Sequence, residues 1–122
     1  MDIKELKYTS GKRAKYFKNK ASTALEYYIE KWDTNSPVYN ELLKVFNDLM
    51  RDDFIHVMDH LHSILSDGYY ANEILLDYKD IKNIYVSVVK YVTYRTLEND
   101  CECGAISLKR YKEADMLRGI GY

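Results

Sequence analysis

SPVYNELLKVFNDLMRDDFIHVMDHLHSILSDG, residues 36–68, carries the architecture of this chain. Ser36 is of the residue type that caps a helix N-terminus, because its hydroxyl can accept one of the N–H groups left unbonded there. Pro37 follows at the first helical position, where a missing N–H costs nothing. Leu43, Phe46, Met50, Phe54, Val57, Leu61 and Ile64 then recur at near-heptad spacing, and Gly68 suits the left-handed residue that ends a helix. The reading is one long helix from about Pro37 to Asp67, with a kink where Arg51-Asp52-Asp53 interrupts the apolar stripe.

Outward from this stretch the apolar period stays helical. On the N-terminal side, beyond the Asp33-Thr34-Asn35 turn, Ala14, Phe17, Ala21, Leu25, Tyr28 and Trp32 trace one helix face, with Thr9 or Ser10 as cap and Thr9-Ser10-Gly11 as its boundary. On the C-terminal side, after Ser66-Asp67-Gly68, Tyr70 to Leu76 suits a short helix. Ile84, Tyr85, Val88, Val89 and Val92 fit a helix starting near Ile81. Their β-branched and aromatic content also suits a strand, but the helical match over residues 81–97 is long and has few exceptions. Glu98-Asn99-Asp100, running into Cys103-Gly104, reads as the next break. A last helix is predicted over Leu108 to Leu117, with Ser107 as cap and Gly119 as stop. Long amphipathic helices with short links imply an all-α fold, a small bundle of four to five helices, in one domain spanning residues 1–122.

Composition agrees with a packed domain. Hydrophobic residues make up 47% and charged residues 30% of 122, a globular and not a disordered mixture. No apolar run is long enough to cross a bilayer, and Met1-Asp2-Ile3-Lys4-Glu5 lacks the plan of a signal peptide, so no membrane role is expected and the expected location is cytoplasmic. Cys101 and Cys103, one residue apart, read as reduced thiols. Thirteen tyrosines and no glutamine accompany an excess of Lys over Arg. That composition suits an AT-rich genome, such as those of many low-GC bacteria, archaea and their viruses. With so many tyrosines some must be exposed, and Tyr69, Tyr70, Tyr91 and Tyr94 are the candidates for an interface.

Charge is segregated. Residues 1–20 hold seven Lys/Arg against two acids, and residues 41–80 hold three against nine. Lys12, Arg13, Lys15, Lys18 and Lys20, interleaved with Tyr16 and Phe17, form a basic patch with an aromatic available for stacking, which suits a nucleic-acid backbone. A solvated or protein-docking face is the plainer reading of the same residues. The acidic half would suit a basic partner surface.

All three histidines lie in Arg51-Asp52-Asp53-Phe54-Ile55-His56-Val57-Met58-Asp59-His60-Leu61-His62. His56 and His60 are four apart, as two metal ligands on one helix would be, and Asp52, Asp59, Cys101 or Cys103 could complete a site; a plain surface pair is the alternative. The six residues from Arg51 to His56 resemble the Arg-x4-6-His element of HEPN-type ribonucleases. The resemblance implies that Arg51 and His56 act on a scissile RNA phosphate across a dimer interface. Arginine would stabilise developing charge there, and histidine would move a proton. No Gly-rich phosphate loop, G-x-S-x-G elbow or HExxH motif is present.

Three functions follow as expectations. The first is a non-enzymatic interaction protein with no cofactor, docking on a macromolecular partner, such as a phage, archaeal-virus or mobile-element protein that inhibits host machinery from the host cytoplasm. The second is a nucleic-acid-binding protein using the basic N-terminal helix, and the third is the ribonuclease of Arg51 and His56. A protein partner, a nucleic acid and self-association all remain open as partners.

Overall fold

The computed structural model describes residues 3–68, 70 and 78–103, and every element defined among them is helical. Helix α1 spans Ile3–Ile29, α2 Pro37–Met50, α3 Val57–Ser66 and α4 Tyr78–Cys103. The most extensive interface joins α1 to α4. These two run antiparallel: Lys7 pairs with Glu102 at one end (3.4 Å) and Lys31 with Asp80 at the other (2.8 Å). α2 packs on α1 and α3, and α3 packs on α2 and α4. The bundle class expected from the sequence is the class observed.

α1 buries Leu6, Ser10, Ala14, Phe17, Ala21, Leu25 and Tyr28 at steps of three and four. The helix begins at Ile3, so Thr9 and Ser10 do not cap it, and Gly11 lies inside it. The correction has a packing reason. A Cβ at Gly11 would lie 2.4 Å from a carboxylate oxygen of Glu98, so glycine here leaves room for the Glu98 side chain of α4 where the sequence suggested a break. α4 likewise runs through Asn99 to Cys103 as helix, and residues 81–97 are helical. Its buried line is Ile81, Ile84, Val88, Tyr91, Tyr94, Leu97 and Cys101. Tyr91 and Tyr94 are therefore core residues and not the surface tyrosines expected. Tyr94 stacks on Phe17, with ring centroids 5.9 Å apart and planes within 5°. Antiparallel pairing of two long helices explains this, because it places aromatic rings from both at the middle of the seam.

The region 36–68 is two helices and not one. Ser36 caps α2 as expected: its hydroxyl accepts from the Val38 N–H (3.2 Å), and Pro37 opens the helix. α2 then ends at Met50 in a Schellman motif. The Asp52 N–H bonds the Leu49 carbonyl (3.2 Å), and the Asp53 N–H bonds the Asp48 carbonyl (2.8 Å). Asp52 occupies the left-handed position of that motif (φ 55°), where glycine or asparagine is usual. Asp53 leads into the turn that precedes α3. Its carboxylate accepts from the His56 N–H (3.1 Å) ahead of α3. Breaking the helix resets the phase of its buried face. α2 buries Val38, Leu42, Val45 and Leu49, one residue out of register with the expected Leu43, Phe46 and Met50. Met50 is exposed, while Val57, Leu61 and Ile64 of α3 are buried as expected. α3 ends at Ser66 with Asp67 as C-cap, ahead of Gly68. The helices expected over Leu108 to Leu117 and most of Tyr70 to Leu76, together with Tyr69, lie outside the described residues; Tyr70 itself is half-buried.

Candidate functional site

Two arrangements of charged residues stand out, the α2–α3 elbow and the outer face of α1. The elbow, residues 51–56, is held from below and from the side. Asp48, buried in α2, accepts a bond from the Arg51 guanidinium (2.7 Å) and another from Nδ1 of His60. From the side, the Tyr91 hydroxyl donates to one oxygen of Asp52 (2.5 Å), and Nε of Arg95 donates to the other (2.9 Å). The Arg95 guanidinium also covers the Phe54 ring at 4.6 Å and approaches Glu98 at 3.4 Å.

Electrostatics follow this geometry. Partial burial opposes ionisation of Asp52. The Tyr91 and Arg95 hydrogen bonds, with the charges of Arg95 and Lys18, outweigh it and hold the carboxyl below the usual carboxylate range. Burial and then the Asp52 carboxylate push the Tyr91 hydroxyl far above the usual tyrosine range. Asp53 is also held low. Desolvation opposes this, and the backbone and side-chain bonds from His56 prevail.

The three histidines do not act together. His56 bonds Asp53 (3.0 Å), His60 bonds Asp48, and Nε2 of His62 lies 3.0 Å from the Tyr85 hydroxyl. Among the described residues no three His, Cys, Asp or Glu side chains gather as a metal requires. Cys101 is buried and Cys103 exposed, and burial, then the charges of Asp100 and Glu98, push the Cys101 thiol up and away from the thiolate a metal binds. Arg51 and His56 of the Arg-x4-6-His run are held on different carboxylates, Asp48 and Asp53. The side chain that shares a carboxylate with Arg51 is His60, which lies outside the Arg-x4-6-His spacing.

The outer face of α1 is the second arrangement. Between Glu5 and Glu26 the helix contains no acid at all. Because it starts at Ile3 and runs through Gly11, it carries Lys4, Lys7, Tyr8, Lys12 and Lys15 along one shallow groove that Glu98 borders. Lys4, Lys12 and Lys15 have no acid within ion-pair distance among the described residues, whereas Lys7 is paired with Glu102. A second shallow depression is lined by Tyr16, Asn19, Lys20, Thr23 and Tyr27. Three tyrosines stand out from this surface, Tyr8 at 66%, Tyr16 at 49% and Tyr27 at 75% exposure.

Of the basic patch expected from sequence, Lys12, Lys15, Tyr16 and Lys20 lie on this face. Arg13 turns inward over the Tyr94 ring (5.4 Å), and Lys18 lines a groove with Asp52, Tyr91 and Arg95. Sequence reasoning missed Lys4, Tyr8 and Tyr27. For Lys4 and Tyr8 the signal was their helical spacing from Lys12 and Lys15, which the supposed boundary at Thr9-Ser10-Gly11 cut off; Tyr27 lay inside the expected helix, on the same face as Tyr16. In comparison with known proteins, no family model, no curated protein and no solved structure matches the chain.

Proposed function

We propose that this bundle is a non-enzymatic binding module that docks on a nucleic acid through the outer face of α1. The observation that carries the reading is the acid-free run between Glu5 and Glu26, whose exposed lysines surround exposed tyrosines. A polyanion gains from each lysine it neutralises, chiefly through release of its own counterions. The overall charge of −1 does not weaken this, because at physiological salt a ligand on α1 feels the charges within about 8 Å and little of the acidic α2–α3 side.

The test is fluorescence anisotropy with a labelled RNA or DNA 20-mer across a salt series, comparing the wild type with Lys12→Gln/Lys15→Gln/Lys20→Gln. The triple variant should bind tenfold or more weaker at low salt. Its salt slope should fall by about 2, at about 0.7 per lost single-strand phosphate contact. Unchanged affinity and slope would remove the proposal. In the same reactions RNA should be recovered intact. Shortened RNA that disappears with Arg51→Ala and with His56→Ala would instead support the ribonuclease reading.

A protein partner is the second reading. Met50 and Ile55, 49% and 67% exposed, lie beside and within the pinned elbow and present apolar surface there, as an inhibitor of a host protein would use. Met50→Lys/Ile55→Lys would abolish that association and leave nucleic-acid binding intact.

A further inference from the structure

We infer that the nucleic acid bound on α1 is single-stranded and taken without sequence preference, its bases stacked on Tyr8, Tyr16 and Tyr27. The inference rests on the binding role proposed for this face and adds the strandedness of the ligand.

The side chains of the face suit single strands better than duplex. Its exposed side chains between Glu5 and Glu26 are lysines, tyrosines, threonine and asparagine. Reading duplex base edges relies chiefly on Arg, Asn and Gln in bidentate geometry. The chain has no glutamine, and the one arginine of α1 is engaged with Tyr94 in the seam. Asn19 alone of that set remains. Lysine supplies a point charge for phosphate, and an exposed tyrosine supplies a flat surface for any base. A paired base keeps its faces inside the duplex stack, so exposed aromatic rings gain little from a double helix.

Tyr8 and Tyr16 are about 12 Å apart along the helix axis, and Tyr16 and Tyr27 about 16 Å, at 1.5 Å per residue. Tyr16 and Tyr27 border the same depression with Lys20 between them. Tyr8 lies at the groove of Lys4, Lys12 and Lys15, with the Lys12 ammonium 5.2 Å from its ring centroid. Cations and rings thus alternate along roughly 30 Å of helix, as a strand's phosphates and bases do. α1 is also flanked by α4 and α2 and so does not project from the bundle. A helix that reads the major groove must enter a cleft about 12 Å wide, and neighbours on two sides obstruct entry.

The experiment measures anisotropy of a mixed-sequence 20-mer, single-stranded and as its duplex, at two salt concentrations. The proteins are wild type, Tyr8→Ala/Tyr16→Ala/Tyr27→Ala, and the corresponding triple Tyr→Phe variant. All three positions are exposed, and circular dichroism checks the fold. The wild type should bind the single strand at least tenfold tighter than the duplex. The alanine variant should lose tenfold or more for the single strand with its salt slope unchanged, and the phenylalanine variant should keep its affinity, since the ring and not the hydroxyl stacks. Equal or tighter duplex binding, or an alanine variant that binds like wild type, overturns the single-strand inference and leaves α1 as a polyanion face. Absence of binding to either form, with the fold intact, overturns the proposed function as well.

Discussion

Asp52 tests the account of the elbow at the level of a single residue. Two separate costs and gains meet there. The backbone is left-handed at φ 55°, which costs a residue with a Cβ about 1 kcal/mol relative to glycine. The carboxylate accepts from Tyr91 and Arg95. Hydrogen bonds to a charged group contribute about 1.5–3 kcal/mol each, but Asp52's side chain is 39% exposed, so about 1 kcal/mol each is the appropriate figure. Asp52→Asn keeps a residue that tolerates the left-handed region but replaces one of the two accepting oxygens with an NH2 and removes the charge, and should cost about 1 kcal/mol. Asp52→Gly loses both bonds and recovers the backbone cost, for a net loss of about 1 kcal/mol. Asp52→Ala loses the bonds and keeps the strain, for about 2 kcal/mol. The assay is urea unfolding followed by circular dichroism and by the fluorescence of Trp32, the only tryptophan. In thermal melts of the same variants, each kcal/mol should move the melting temperature by about 4 °C in a chain of this size. The decisive quantity is the gap between Ala and Gly. If they are equally stable, the left-handed assignment is wrong. A Tyr91→Phe/Asp52→Asn cycle with no coupling energy would refute the claim that the hydroxyl holds the carboxylate.

Two further predictions are simpler. Asp52 is held below its unfolded pKa of about 3.9, so its contribution is present above that value and is lost as pH falls through the lower folded one. Tyr91 is held above its unfolded value of about 10, so its contribution is present below pH 10 and is lost as pH rises beyond it. The contributions of Asp52 and Tyr91 should thus both be constant from about pH 5 to 9. In stability measured against pH, the acid limb should be shallower in Asp52→Asn and the alkaline limb shallower in Tyr91→Phe, and unchanged limbs would contradict both assignments. Gly11→Ala sets a helix gain of about 1 kcal/mol against displacement of the Glu98 carboxylate, the far end of a flexible side chain. Thermal unfolding should show a change within about 1 kcal/mol, on the stabilising side, because the Arg95–Glu98 pair it disturbs is a weak one. A loss above about 2 kcal/mol would mean that Glu98 is locked in place.

Helix content, the Ser36-Pro37 start of α2 and the buried stripe of α1 were legible in residue order, because capping and amphipathic period act within a few neighbours along the chain. The same local rules misplaced the start of α1, the span of the region 36–68 and the exposure of Tyr91 and Tyr94. Gly11 looks like a boundary until Glu98, on another helix, shows what fills the space beside it. Arg51-Asp52-Asp53 looks like a kink, yet whether a charged tripeptide bends a helix or ends it depends on partners 39 and 43 residues away, Tyr91 and Arg95. The candidate binding face shows the same division. The lysines of α1 are plain in the sequence, but the union of Lys4 and Tyr8 with Lys12, Lys15 and Tyr16 on one surface required a helix unbroken through Gly11. Local propensity thus set which segments are helical, and packing against α4 set where they stop and which side chains meet solvent. A helix end costs only about as much as one or two contacts from a distant helix contribute, so those contacts choose among the alternatives that local sequence leaves open.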